Sequence, residues 1–438
     1  MTAAPELQAG SRTGARPFLT TSLGLVVGRM AALGTGFLFW LLAARAASPY
    51  AVGVAAGAVS LMMLGTQFAI AGAGSSFILH HARVGERRRE LLDAALTIVL
   101  LTSAGVALLA LLLVALLSDG LRPIAVQPGF AALFIAMTVI GTVGILRDHV
   151  SVALSFSTDV VVRNVSSGLL TAAPLLVAAV VGASPGPVGL FSLWVLGGTF
   201  ACAIGARQLH RRLDGYVFRP RLTRGLTALV LRSGLPNQAL TLVERAPNLL
   251  LPAVVTEVLS PELNAYWYVA WMMAWGVLIV PVSVGLTLFA QVAKDTQGLH
   301  SAVVRAAKTG ALLGLAAAAG AAVVGPFILR LLGRDYAQYG TTPLRVLVLG
   351  VLPVLVTQLY YAVCRSRERV REALVVGAAT AIASVAGTAA VAGAKGLAGM
   401  AWVWLAVQVV GAVWAAVRLR VLLRRQAGEA DAEPLSLG

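Results

Sequence analysis

Four charged side chains stand inside stretches that are otherwise apolar enough to be buried: Arg29, Arg232, Glu244 and Arg245. Three of them share one segment, Leu226–Leu259, together with Pro236, Pro247 and Pro252. In a bilayer each such charge costs about 3 kcal/mol near the midplane, so it faces a bundle interior or a wet cavity. Proline removes a ladder hydrogen bond, which is tolerated at that depth only where neighbours or water satisfy the freed backbone. A broken, charged helix lining a polar pathway is the expectation for this segment.

Depth sorts the four charges. Arg29 lies 11 residues beyond Phe18, about 16 Å at ~1.5 Å per residue and so close to mid-bilayer. Glu244 and Arg245 are similarly deep, whereas Arg232 is near enough to the segment's start for its long stem to reach the interface. Glu244 and Arg245 point about 100° apart on a helix, so they do not readily face one partner. Two readings stand. In one, Arg29 donates to a carbonyl and Glu244 pairs with Arg245, both for structure alone; in the other, these residues bind cargo.

A second group, Arg147, Asp148, Asp159 and Arg163, flanks a short connection. Asp159 and Arg163 are four apart, the spacing of a helical ion pair. The group is read either as ordinary interfacial charge or as a gate at the mouth of a pathway for a charged head group.

The elements that must position these residues are membrane helices. Of the 438 residues 58% are hydrophobic and 12% charged, against about a quarter charged in soluble domains; mean hydropathy is +0.86. The net charge of +16 resides in short clusters between apolar spans, without interleaved aromatics or a nucleic-acid-binding motif, so no nucleic-acid partner is expected. Cys202 and Cys364 both lie in apolar spans, and the five histidines lack metal-ligand spacing, so neither a disulfide framework nor a metal or other cofactor is expected. No glycine-rich phosphate loop or Ser-His-Asp set is present, and the short arginine-poor connections leave no room for a catalytic domain; an enzyme is not expected.

About 20 apolar residues cross a bilayer, and twelve candidate spans follow: 18–44, 50–79, 91–117, 129–154, 160–182, 187–206, 226–259, 263–293, 303–332, 342–364, 373–394 and 397–423. The first is too long for the core of a cleaved signal peptide. Alternate connections differ sharply in charge. One side receives Arg12 and Arg16, Arg83–Arg89, Arg147 and Arg163, Arg207–Arg224, Lys294 with Arg305 and Lys308, Arg365–Arg371 and Arg418–Arg425; the other has Arg45, Arg122, Arg330, Arg334 and Lys395. Positive connections stay cytoplasmic. The expectation is an all-α polytopic membrane protein of twelve transmembrane helices in two six-helix bundles, residues 18–206 and 226–423. A basic cytoplasmic linker, 207–225, joins them, and both tails, 1–17 and 424–438, are cytoplasmic. Setting Tyr50 on Tyr266 places Arg29 over Arg245, which reads as an internal repeat.

Several stretches, taken together, resemble the multidrug/oligosaccharidyl-lipid/polysaccharide (MOP) exporter superfamily, in particular its polysaccharide flippase branch. They are LLAARAASPYAVGVAA, the segment RSGLPNQALTLVERAPNLLLPAVVTEVLSPELNAYWYVAWMM, IVPVSVGLTLFAQVAKD and GPFILRLLGRDYAQYGTTPLRVLVLGVLP. The resemblance implies two bundles around a central cavity open alternately to each side, carrying an undecaprenyl-diphosphate-linked saccharide across a bacterial cytoplasmic membrane. Lipid-linked anionic saccharide, membrane lipids and glycan-assembly enzymes are the partners it implies. A cation-coupled multidrug antiporter needs intramembrane carboxylates, whereas the deep set here is Arg29, Arg232 and Arg245 against Glu244, an excess that suits an anionic diphosphate. The antiporter, and a non-transporting scaffold for glycan assembly, are the alternatives.

Overall fold

The computed structural model describes residues 34–81, 83–154, 156–292, 299–367 and 369–432. The deep arginine Arg29 lies outside them. The chain is all-helical: α1 (34–46), α2 (Pro49–Ala69), α3 (Ala73–His80), α4 (Arg88–Leu117), α5 (Arg122–Val126), α6 (Pro128–Ala153), α7 (Ser157–Val181) and α8 (Pro187–Arg212) form the first part. The second comprises α9 (Arg224–Val258), α10 (Pro261–Val292), α11 (Leu299–Leu332), α12 (Arg334–Leu349), α13 (Val351–Ser366) and α14 (Val370–Ala432).

Local chemistry sets the boundaries. Ser48 caps α2 by accepting from the Ala51 amide at 3.2 Å, and Pro49 follows where a missing N–H costs nothing. Pro128 and Pro187 open α6 and α8 in the same way. Between α2 and α3 the chain turns through Gly72 at φ 74, a left-handed conformation that favours glycine.

Among the described residues eight helices are long and apolar enough to cross a membrane, or nine if α12 and α13, bent by 41°, make one span. The chain is thus a multi-pass membrane protein. The expectation of twelve differs at identifiable places. α14 is a single run of 63 residues interrupted at Gly396 (φ 58, ψ −159), where the sequence places the turn between its last two spans. Most of the first expected span, 18–44, lies outside the described residues, and α9, with five charged residues, is not among the eight. The expected break in α9 is absent: the helix runs unbroken for 35 residues through Pro236, Pro247 and Pro252.

Packing divides the molecule unequally at its two ends. α4, α6, α7 and α8 pack on one another, α10 to α14 on one another, and α2 and α3 meet α9 and α10 between them. At the arginine-poor end one apolar core runs through both sets, from Phe39, Trp40 and Phe134 to Trp267, Trp271 and Trp404. At the arginine-rich end there are two separate cores. One joins Phe77, Leu91, Leu146 and Leu209 to the start of α9 at Leu226 and Val230; the other joins Leu288, Leu299, Leu359 and Leu419.

Polar contacts reinforce the arginine-poor seam. The Glu257 carboxylate at the end of α9 accepts from the Ser118 hydroxyl, the Asp119 amide at 3.0 Å and the Gly120 amide at 3.2 Å. Asn264 donates to the Gly53 carbonyl at 2.9 Å, and a Cβ at Gly53 would overlap the Pro261 carbonyl. Nearer the arginine-rich end, α3 and α9 touch at Gly72 and Gly234, where a Cβ on either would lie within 2.3 Å of the other's backbone.

The connection 213–223 is fastened to α4. Buried Asp93 accepts from the Tyr216 hydroxyl and from the Arg219 amide at 3.2 Å, and Arg221 pairs with Glu90 at 3.0 Å. Burial, and then the carboxylate beside it, push the Tyr216 phenol above its usual range, so it stays a neutral donor.

Candidate functional site

Two cavities lie one in each set of helices. The first, about 90 Å³, is lined by Glu244 and Asn248 of α9, Trp275 of α10, Thr357, Gln358 and Tyr361 of α13, and Thr380, Trp404 and Gln408 of α14, with apolar residues between. The second, about 190 Å³, is lined by Thr35, Gly36 and Phe39 of α1, Met137 of α6, Asn164, Ser167 and Thr171 of α7, and Trp194 of α8. Glu244 is the one acidic residue lining either.

Glu244 does not pair with Arg245. Its Oε1 accepts from Arg365 Nη2 at 2.6 Å, with the two side chains 18% and 22% exposed. Arg365 comes from the last turn of α13, one turn beyond Tyr361, so Gln358, Tyr361 and Arg365 share a helix face. The Gly377 backbone lets α14 close on this face: a Cβ there would stand 3.0 Å from the Tyr361 hydroxyl.

Arg245, rotated away from Glu244, is exposed on α9 and donates to Gln67 Oε1 of α2 at 3.5 Å; Gln238 donates to the Gln67 carbonyl at 2.6 Å. Arg245 thus reaches across to the first set of helices, while Glu244 faces the cavity of the second. Arg232 is exposed near the start of α9. Among the described residues no charged side chain lines the cavity of the first set. Trp194 stands edge-on to Phe39 at 5.7 Å with its buried indole N–H unpartnered, and Trp40 carries the aromatic cluster on to Tyr268 of α10 at 4.7 Å.

The structure rearranges the Arg147, Asp148, Asp159 and Arg163 group. Arg163, 4% exposed, pairs with Asp148 at 2.7 Å rather than with Asp159, and also donates to Ser151 at 3.1 Å and to Gln208. Asp159 instead accepts from Arg212 at 3.3 Å, whose guanidinium lies 4.3 Å over Phe156. Arg147 donates to the Cys202 carbonyl, and Gly205 admits both arginine stems, each about 3 Å from where its Cβ would be. These bonds knit α6, α7 and α8 to one another.

Sequence reasoning missed Arg365, which it assigned to a cytoplasmic cluster, and the polar linings Asn164, Ser167, Gln358 and Gln408. The signal was available for α13: a glutamine, a tyrosine and an arginine at i, i+3 and i+7 on an apolar helix. It also missed Arg345 of α12, whose Nε donates to the Ala322 carbonyl of α11 at 3.4 Å. Among the described residues no group of three His, Cys, Asp or Glu is placed to hold a metal ion.

In fold the chain is similar to solved structures of membrane transporters. It is similar to a multidrug resistance MATE family transporter of the MOP superfamily in an inward-facing conformation, at 15% identity over 92% of this chain and 99% of the other, TM-score 0.67. It is similar also to the lipid II flippase MurJ in an inward closed conformation, at 12% identity over 92% and 87%, TM-score 0.71. A third, from Pyrococcus furiosus, is a MOP-superfamily transporter for which a binding pocket of reverse polarity suggests a different function; it is 16% identical over 93% and 95%, TM-score 0.62. No family model and no curated protein matches the sequence.

Proposed function

We propose that this chain is a transporter, not an enzyme, that moves an undecaprenyl-diphosphate-linked saccharide across a bacterial cytoplasmic membrane by alternating access. Twelve spans in two bundles, 18–206 and 226–423, with both termini inside, form its frame. One observation carries the cargo's charge: among the described residues the only carboxylate lining either cavity is already paired with Arg365. A site for a cation needs a carboxylate with charge to spare, whereas a diphosphate needs guanidinium groups, of which Arg365 and Arg245 flank the same stretch of α9 and Arg29 is the expected third.

The divided core suits the motion. With the arginine-rich end cytoplasmic, one apolar core joins the helix sets at the outer end, while at the inner end the start of α9 stays with the first set and α10, α11, α13 and α14 form a core of their own, the division that admits cargo from the cytoplasm. Opening outward requires release of Glu257 from the 118–120 turn and of Asn264 from Gly53. The membrane potential supplies driving force, about 2.3 kcal/mol per charge per 100 mV. The Arg147, Asp148, Asp159 and Arg163 network stiffens the cytoplasmic rim over which a charged head group passes.

The fold serves a cation-coupled multidrug antiporter equally well, and vesicles separate the two. Purified protein in liposomes containing a fluorescent lipid-diphosphate saccharide speeds the exposure of the sugar to an external lectin. Exposure at the rate of empty vesicles refutes the flippase reading, and cation-coupled dye efflux in its place establishes the antiporter. Under the scaffold reading, neutral substitutions of Arg29 and Arg245 leave transport untouched; under ours they abolish it.

A further inference from the structure

Two buried or half-buried arginines, equally well placed to make ion pairs, are engaged very differently. Arg163 is 4% exposed and spreads its donors over Asp148, Ser151 and Gln208. Arg365 is 22% exposed, and among the described residues its one hydrogen bond goes from Nη2 to Glu244. A guanidinium has five N–H donors in a fork that fits a carboxylate or a phosphate through two parallel bonds. Arg163 has its fork filled; Arg365 has used one prong, at the edge of a cavity and on the last turn of the helix nearest the divided end.

Glu244 is likewise only half committed. Among the described residues its one hydrogen bond comes from Arg365, and the lining beside it offers neutral amides: Asn248 one turn along α9, Gln358 on α13 and Gln408 on α14. These are donors to which a displaced carboxylate can turn without meeting a like charge. Arg245, its neighbour in sequence, lies on another face and reaches Gln67 instead.

We propose that Glu244 is a resident competitor for Arg365, occupying in the empty cavity the guanidinium that the cargo's diphosphate takes over on binding. The inference rests on the anionic-cargo reading above and gives it a binding residue, Arg365, with a built-in means of letting go: Glu244 returns as cargo leaves, so the anion is never held at the full strength of an unpaired arginine. The consequence is opposite to that of a structural ion pair. Removing the carboxylate strengthens cargo binding instead of weakening it.

The test is equilibrium binding of a short-chain polyprenyl diphosphate to the full chain in detergent, with the bare polyprenol as control. Glu244→Gln binds the diphosphate at least tenfold more tightly than wild type, about 1.4 kcal/mol, while polyprenol binding does not change. Arg365→Gln binds it at least tenfold more weakly, and the double variant matches Arg365→Gln, since the gain requires the arginine. If Arg365→Gln weakens binding but Glu244→Gln does not tighten it, the competitor role is overturned and the anionic-cargo reading stands. If Arg365→Gln binds the diphosphate like wild type, the proposal is overturned and the anionic-cargo reading stands; if no form binds the diphosphate, both fall. Should Glu244→Gln lower the unfolding temperature so far that binding cannot be read, Glu244→Ala is measured; loss of the fold in both makes the pair structural and overturns the proposal.

Discussion

The two cavities, one in each set of helices, carry different chemistry. Among the described residues the cavity of α1, α6, α7 and α8 is lined by hydroxyls, an amide and an indole without a charge, whereas that of α9, α10, α13 and α14 is lined by Glu244, which Arg365 pairs from beside it, among glutamines and tryptophans. Among the described residues, the one charged side chain lining either cavity therefore belongs to the second set of helices. The neutral cavity contributes shape and hydrogen bonds, each worth about 1 kcal/mol net, and cannot by itself select the sign of the cargo.

The most severe way to break this asymmetry is Arg365→Gln. It leaves Glu244 unpaired and half-buried, a change that costs about 3–5 kcal/mol where a buried pair is fully desolvated and less here because both groups are partly wet. We expect transport of the lipid diphosphate to fall at least a hundredfold, and the variant to gain binding of a lipophilic cation, read by competition with tetraphenylphosphonium. Next in size is Asn164→Asp, which puts a carboxylate into the neutral cavity. Repulsion of an anionic cargo should lower transport about tenfold, with the loss shrinking in acid, where the carboxylate is neutralised.

Gly36→Leu sharpens the comparison with a smaller effect. Nothing stands within 4 Å of the position its Cβ would take, so the side chain fills the cavity without displacing backbone. It should slow transport several-fold while leaving the unfolding temperature unchanged or raised. Smallest of all is Asp159→Asn, outside both cavities. Its partner Arg212 is half exposed, and such a pair is worth about 0.2–1 kcal/mol; we expect a shift in unfolding temperature of a degree or two and transport within twofold of wild type. A large transport defect there makes the residue a gate.

The helices were legible because composition and charge alternation are properties of the chain itself: Ser48-Pro49, Pro128 and Pro187 begin helices where the sequence places spans, and Gly396 turns the chain between the last two. The partners of charges were not. Glu244 lies next to Arg245 in sequence but 121 positions from Arg365, and only the packing of α9 against α13 and α14 decides which arginine it meets. Asp159 and Arg163 had the right spacing for a helical pair, yet burial drew Arg163 to Asp148 of the neighbouring helix, where three acceptors satisfy it. The prolines of α9 signalled a break that the continuous helix does not contain. The joined and divided ends of the core were illegible as well, since apolar residues crowd both.

The central claim is that the charged cavity selects an anion, and equilibrium binding to the wild-type chain tests it most directly. With a short-chain polyprenyl diphosphate and tetraphenylphosphonium offered to the same preparation, the account predicts saturable binding of the diphosphate, lost in Arg365→Gln, and no saturable binding of the cation. Saturable cation binding that depends on Glu244, with the diphosphate ignored, contradicts it.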